Sequence, residues 1–106
     1  MAAKLLDQAA ATGASNDWQV RAGASEHTIQ STCTGSPTAV TTEFEGSLDG
    51  TTWYQLAEHK WTSNEITAQA SMFHVSSKLI THTRINLSTL TGGTSPTVTC
   101  LYEWND

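Results

Sequence analysis

From Trp18 onward, apolar and polar side chains alternate in short runs that are separated by turn-forming residues. This period of two is typical of β-strands with one buried and one solvated face. In residues 26–34, the face predicted to lie inside contains His27, Ile29, Ser31 and Cys33. In residues 38–48, the corresponding face contains Val40, Thr42, Phe44, Gly46 and Leu48. Glu43 and Glu45 fall on the opposite, solvated face of that strand.

Further strands are predicted at residues 18–21, 51–58, 65–75, 78–90 and 97–104. Glycine-containing turns separate several of them, among them Asp49-Gly50 and Thr91-Gly92-Gly93-Thr94, which favour hairpins because glycine tolerates positive φ. Seven or eight short strands with such turns indicate an all-β, antiparallel fold. A sandwich is preferred to a small barrel because several strands have one apolar and one Thr-rich face.

The first 17 residues are predicted to form a short N-terminal arm, and residues 18–106 the β-sandwich domain. Residues 1–14 are rich in alanine and weakly helical in composition, with Leu5, Leu6 and Ala9 at helical spacing. Residues 12–17 resemble a flexible joint. Two interpretations stay open: a frayed terminus, or an arm that becomes ordered against a partner.

Composition and charge limit the number of domains and the classes of partner that the chain can have. The 106 residues suffice for one domain, and the net charge of −5 with five fixed cations argues against nucleic-acid binding. No signal peptide or membrane span is expected, so folding in a cytoplasm is predicted. Only 14% of residues are charged, a surface composition that tolerates contact with another protein. Cys33 and Cys100 are expected to be buried free thiols, with a disulfide possible if their strands are neighbours.

No motif indicates catalysis. The chain lacks a GxSxG elbow, a glycine-rich phosphate loop, HExxH and CxxC. Its histidines occur singly, and ordinary surface or strand positions are favoured for them over a metal site; they are His27, His59, His74 and His82. A solvated edge is likewise favoured over an acid/base pair for Asp49 and its neighbouring glutamates. We expect no enzyme activity, no catalytic residue, no cofactor and no metal.

Aromatic residues are the best candidates for contacts, since Trp and Tyr favour both cores and interfaces. Trp53 is predicted to anchor the core. Trp61, in a predicted loop, is expected to be exposed. The residues predicted to bind a partner are Leu5, Leu6, Trp18, Tyr54 and Trp61.

Two segments carry a resemblance to a known family: Phe44-Glu45-Gly46-Ser47-Leu48-Asp49-Gly50-Thr51-Thr52-Trp53, and His82-Thr83-Arg84-Ile85-Asn86-Leu87 followed by the Leu90-Thr91-Gly92-Gly93 turn. Over about residues 18–104 the chain resembles the small β-sandwich proteins of tailed-phage virions, in which an SxDGxxW bend precedes a YVRxNV-like strand. Here His82 stands in place of the usual tyrosine and Thr83 in place of a β-branched hydrophobe. The same bend occurs in discoidin-type carbohydrate-binding and lipid-binding domains.

The resemblance implies a jelly-roll-like sandwich and a structural role in the virion. We expect a capsid decoration or cement protein on the outer head surface, with the major capsid protein as partner and a homo-oligomer, preferably a trimer, as the binding form. A carbohydrate-binding, discoidin-like module is the alternative from another class. A tail or baseplate component is a variant of the first interpretation.

Overall fold

The structure is a computed structural model that describes residues 3–15 and 17–105, without the side chains of Arg21 and Ala22. These residues form nine strands and one short helix, which are β1 (Ala3–Ala9), β2 (Gly13–Ala14), β3 (Trp18–Ala24), β4 (His27–Thr34), β5 (Ala39–Ser47), β6 (Tyr54–Lys60), α1 (Ser63–Ala68), β7 (Ala70–Val75), β8 (Ile80–Thr91) and β9 (Thr97–Trp104). Within the described ranges, no helix is long and apolar enough to cross a membrane.

The strands form two antiparallel sheets. One has the order β1-β9-β4-β7, and the other has the order β2-β8-β5-β6, with β3 also pairing with β8. β2 and β3 pair with successive parts of β8, so together they act as one interrupted strand. When β2 and β3 are counted as one strand, the described residues form eight strands. Consecutive strands along the chain lie in different sheets, except for β5 and β6, which form a hairpin within one sheet. This is the order of a jelly roll, and the predicted antiparallel, jelly-roll-like sandwich is confirmed.

The core lies between the sheets and follows the predicted alternation. In β4 the buried residues are His27, Ile29, Ser31 and Cys33, as expected. In β9 they are Val98, Cys100 and Tyr102. Both cysteines are free thiols. Burial raises the pKa of Cys100 to about 11, which keeps this thiol protonated and unreactive at neutral pH.

His27 is fully buried and hydrogen-bonded at both ring nitrogens. Its Nε2 lies 2.9 Å from the carbonyl oxygen of Lys78, and its Nδ1 lies 2.7 Å from the hydroxyl of Tyr102. Because a carbonyl can only accept, we assign the proton of the neutral ring to Nε2, and Tyr102 donates to Nδ1. Phe44 packs 5.1 Å from the His27 ring, between ring centroids. The neutral imidazole therefore satisfies its polar atoms inside an aromatic core.

The N-terminal segment is not a helical arm. Residues 3–9 form strand β1, which pairs with β9 at the edge of its sheet. The register shifts between Lys4 and Leu6, and such a β-bulge directs two consecutive side chains to the same face. Leu5 and Leu6 are consequently both buried in the core. The spacing of the leucines fits a helix as well as a strand, because a bulge breaks the alternation that identifies a strand.

Residues 65–69 do not begin a strand, contrary to the prediction. They belong to α1 and its C-cap, and Thr62 is the N-cap of that helix. The side chain of Thr62 accepts from the Glu65 backbone N–H, and the Glu65 carboxylate accepts from the Thr62 backbone N–H. This capping box is readable in the sequence Thr62-Ser63-Asn64-Glu65.

Replacing Leu6 with alanine tests whether β1 is part of the core. Removing a buried leucine side chain costs about 2–5 kcal/mol of unfolding free energy, whereas Lys4→Ala changes an exposed residue of the same strand and is expected to cost less than about 1 kcal/mol. Urea unfolding followed by tryptophan fluorescence measures both. If Leu6→Ala were as stable as Lys4→Ala, β1 would not be packed as described.

His27 makes stability depend on pH. Burial lowers its pKa below 6.5 in the folded state, so on acidification the unfolded chain takes up the proton first. The stabilisation by neutral His27 is fully present above about pH 6.5. It is lost as pH falls towards the lowered pKa of the folded state, and the free energy of unfolding then changes by at most about 1.4 kcal/mol per pH unit. Urea unfolding at several pH values between 5 and 8 measures this slope. His27→Gln should lose this pH dependence of stability, and His74→Gln should keep it. An unchanged slope in His27→Gln would contradict the assignment of the pH dependence to His27.

Candidate functional site

The bend that follows β5 is built by two side chains. The hydroxyl of Ser47 accepts from the backbone N–H groups of Asp49 (3.2 Å) and Gly50 (2.9 Å), and it donates to Asp49 Oδ1 at 2.9 Å. Asp49 Oδ1 in turn accepts from the backbone N–H groups of Thr51 and Thr52 at 2.9 and 2.8 Å. These backbone hydrogen bonds, that of Thr52 foremost, lower the pKa of Asp49. The carboxylate is therefore charged over the whole physiological range.

This bend is longer than the tight hairpin turn that Asp49-Gly50 predicted. β5 ends at Ser47 and β6 begins at Tyr54, because the side chains of Ser47 and Asp49 take over the hydrogen bonds of the chain between the strands. Leu48 was expected to face the core, but it leaves the sheet at this point and is 72% exposed. Tyr54, at the other end of the bend, is 66% exposed.

The bend borders an open groove with a volume of about 460 Å³. We call it the bend groove. It is lined by Gly46, Ser47, Leu48, Asp49, Thr52, Tyr54, Leu56 and Ile80. Most of this lining is apolar, and among the side chains that the structure describes Asp49 is the one charged member of the lining. Ile80 and Leu56 close over the backbone of Gly46, since a Cβ there would lie only 2.6 Å from Ile80 Cδ1 and 2.7 Å from Leu56 Cδ1. An exposed apolar concavity with a single acid at its rim is typical of a binding surface.

Trp53 is not the core anchor that we expected. It is partly exposed, and the Arg84 guanidinium lies over its ring at 4.3 Å from the centroid. Arg84 Nε also donates to Glu45 Oε1 at 2.6 Å. Trp53 therefore lies against the outer face of the sheet that contains β5 and β8. The cation–π contact attaches the end of the bend to β8, and the ion pair joins β5 to β8.

The predicted contact residues are scattered in the structure. Leu5 and Leu6 lie in the core, and Trp61, which was expected to be exposed, is 7% exposed. The Trp61 backbone N–H donates to the carbonyl oxygen of Val40, and this contact holds the residue between the sheets. Trp18 is 41% exposed and packs 5.9 Å from the Trp104 ring. Of the five candidates, Tyr54 lines the bend groove.

A second polar cluster joins the edge strands β6 and β7 through α1. His59 Nε2 lies 2.9 Å from Glu65 Oε2 and 2.8 Å from Ser71 Oγ, and Ser71 donates to Glu65 Oε2 at 2.5 Å. Burial opposes the charge of Glu65, but hydrogen bonds from Ser71, the Thr62 N–H and His59 outweigh it and lower the Glu65 pKa to about 2. We call these three residues, His59, Glu65 and Ser71, the edge clasp.

The edge clasp contains the residue types of a serine–histidine–acid relay without its geometry. In such a relay, the hydroxyl and the carboxylate contact different ring nitrogens, so that one nitrogen can take the proton while the other is held. Here Ser71 and Glu65 both contact Nε2 of His59. The hydroxyl proton of Ser71 is directed at the carboxylate. This arrangement links structural elements and does not activate the hydroxyl.

No cluster of three or more His, Cys, Asp or Glu residues among those described is arranged to hold a metal ion. His27 is in the core, His59 belongs to the edge clasp and His74 pairs with Glu26 at 3.1 Å. His82 lies under the bend, where a Cβ on Gly50 would be 3.2 Å from its ring.

Comparison with known proteins gives a fold and no family. No family model matches the chain, and no curated protein matches it. Among solved structures, the SPBc2 prophage-derived protein YomS is similar, with a TM-score of 0.62 over 96% of this chain and 90% of that protein. The two share a fold. At 12% sequence identity, the likeness extends to the sandwich itself and carries no residue roles.

Most of the bend groove was missed by sequence reasoning. Alternation placed Leu48 inside, because nothing in the period of two shows where a strand stops. The Ser47-Leu48-Asp49-Gly50 sequence contained the missing signal, since Ser and Asp side chains compete for backbone hydrogen bonds and end a strand. Ile80 comes from the distant strand β8, and no local pattern predicts its place in the groove.

The contribution of the edge clasp to the free energy of unfolding is expected to be lost in acid. The Glu65 pKa of about 2 in the folded state is below its value of about 4.3 in the unfolded chain, so its contribution is present above about pH 4.5 and is lost as pH falls towards 2. Urea unfolding between pH 2 and 5 should show a steeper loss for the native chain than for Glu65→Gln. Glu58→Gln, an exposed acid on the neighbouring strand, should behave as the native chain; equal slopes in all three would contradict the prediction.

Proposed function

We propose that this chain is a structural protein of a tailed-phage virion, a capsid decoration or cement protein that binds the outer head surface. The single observation that carries the proposal is the bend groove, where Leu48 and Tyr54 are exposed beside an apolar concavity. The fold shared with a prophage-derived protein supports a phage origin. The motifs that resemble small virion sandwich proteins lie on β5, the bend and β8, around this groove.

The proposed mechanism is burial of apolar surface at junctions between capsomers. Exposed leucine and tyrosine side chains contribute about 1.5–3 kcal/mol each when fully covered, which gives a weak contact by itself. Repetition over the many identical sites of a capsid, and an oligomeric binding form such as the favoured trimer, raise the overall strength through avidity. The major capsid protein is the proposed partner.

A carbohydrate-binding module is the second candidate. Its support is the exposed ring of Tyr54 beside the carboxylate of Asp49 and the hydroxyl of Thr52, all of which line the groove. An aromatic face with nearby hydrogen-bonding groups can bind a sugar ring. The mainly aliphatic remainder of the lining favours a protein partner. A tail or baseplate position would employ the same surface on another virion component.

Addition of the purified protein to undecorated capsids tests the proposal. We expect binding at a fixed stoichiometry and greater resistance of the capsids to heat. Leu48→Ser and Tyr54→Ser should each weaken binding by about 5- to 30-fold, as expected for contacts worth 1–2 kcal/mol. Sedimentation of the mixtures measures binding, and calorimetry measures heat resistance.

Met72→Ser is the matched control for the capsid experiment. Met72 is 59% exposed and belongs to the other sheet, so its replacement removes similar apolar surface far from the groove in the fold. Binding no stronger than that of an unrelated acidic protein would refute the virion role. If Met72→Ser lost capsid binding while Leu48→Ser kept it, the contact surface would lie on the other sheet.

A further inference from the structure

We propose that the bend groove recognises a short peptide segment of a partner protein in which a large apolar side chain stands next to a lysine or arginine. This inference rests on the proposed function, since the segment would belong to the virion component that the chain binds. The chemistry of the partner follows from two properties of the groove. Its lining is mostly apolar, and the acid at its rim, Asp49, forms no ion pair with any described residue.

The apolar half of the recognition comes from the geometry of β5, β6 and β8. Gly46 allows Leu56 and Ile80 to pack closely over its backbone, because a Cβ there would overlap both side chains, and all three residues line the groove. Leu48 and Tyr54 stand exposed at the rim. A volume of about 460 Å³ lies in the range of pockets that enclose small organic groups, so it admits one or two large side chains.

The charged half comes from Asp49. Its carboxylate accepts hydrogen bonds from the Ser47 hydroxyl, from the Thr51 and Thr52 backbone N–H groups and from the Thr51 side chain. All of these donors are neutral, and within the described residues no cation forms an ion pair with Asp49. None of the lysine and arginine side chains that the structure describes lines the groove. Two acids of the neighbouring strands differ in this respect, because Glu45 pairs with Arg84 at 2.6 Å and Glu58 lies 3.9 Å from Lys60. The charge of Asp49 thus remains available to a partner cation.

Other occupants fit this chemistry less well. A second copy of the chain would bring another net charge of −5 and a second uncompensated Asp49 to the contact. A glycan would place hydroxyl groups against Leu48, Leu56 and Ile80, which offer no hydrogen bonds. A partner cation beside an apolar group satisfies both parts of the surface, and the exposed Tyr54 ring adds a cation–π contact where the cation lies over it.

An array of short synthetic peptides tests the inference with the full-length protein. Each peptide carries one central leucine or phenylalanine, flanked by lysine, arginine, serine or glutamate. We expect the native chain to be retained about tenfold more strongly by the basic peptides than by the acidic ones, and this ratio to shrink at higher salt. Asp49→Asn should abolish the ratio. This variant keeps the side-chain oxygen that accepts from Thr51 and Thr52, so the bend is preserved.

Two further variants make the result specific. Glu58→Gln removes an acid outside the groove and should leave the ratio unchanged, whereas Leu48→Ser with Tyr54→Ser should lower retention by every peptide with an apolar centre. The inference is overturned if acidic and basic peptides are retained equally, or if Asp49→Asn keeps the native ratio. It is also overturned if a glycan array binds through Tyr54, or if sedimentation shows a dimer that Leu48→Ser dissociates.

The outcome separates this inference from the virion role. Suppose that Leu48→Ser and Tyr54→Ser both still bind capsids and that all peptides are retained equally. The groove inference would then be wrong, and the proposed role as a capsid decoration protein would be unaffected. A preference for basic peptides that depends on Asp49, in a protein that adds to no capsid, would establish the groove chemistry and refute decoration.

Discussion

The pairing of β5 with β8 is the constraint on which the rest of the structure depends. The two strands are paired from Ala39 opposite Thr91 to Ser47 opposite His82, with one register shift between Thr41 and Thr42. Their inner faces bring Phe44 and Ile85 together in the core, both fully buried. Their outer faces pair Glu45 with Arg84. Because the bend follows β5 directly, the same pairing decides where the groove opens.

This pairing also gives the resembling motifs a physical meaning. The SxDGxxW bend and the later strand are about 30 residues apart in the chain and are neighbours in the sheet. Trp53 of the first motif lies on Arg84 of the second, and Gly50 of the first lies on His82 of the second. A motif of this kind records the packing of one corner of a sandwich. It therefore indicates a fold more directly than it indicates a role.

Alternation predicted the elements whose strands are regular, and failed where backbone geometry departs from period two. The inward faces of β4 and β9 follow from sequence because each strand runs without interruption between two neighbours. β1 escaped prediction because its bulge buries Leu5 and Leu6 together. α1 escaped because six residues are too few for a helical period. Of the candidate site, Tyr54 was predicted, but Ile80 and Leu56 join it only through tertiary packing.

Gly46 gives the surface a property that the sheet itself does not require. Its backbone pairs with Tyr54 on one side and with Thr83 on the other, and any amino acid other than proline could make those hydrogen bonds. A Cβ on this residue would lie closer to Leu56 and Ile80 than packed carbon atoms approach one another. The two side chains therefore close over bare backbone, and any residue larger than glycine would push them apart. A single substitution at this position would reshape the wall of the groove while every strand pairing stayed in place, so the shape of the recess is a trait that can evolve independently of the fold.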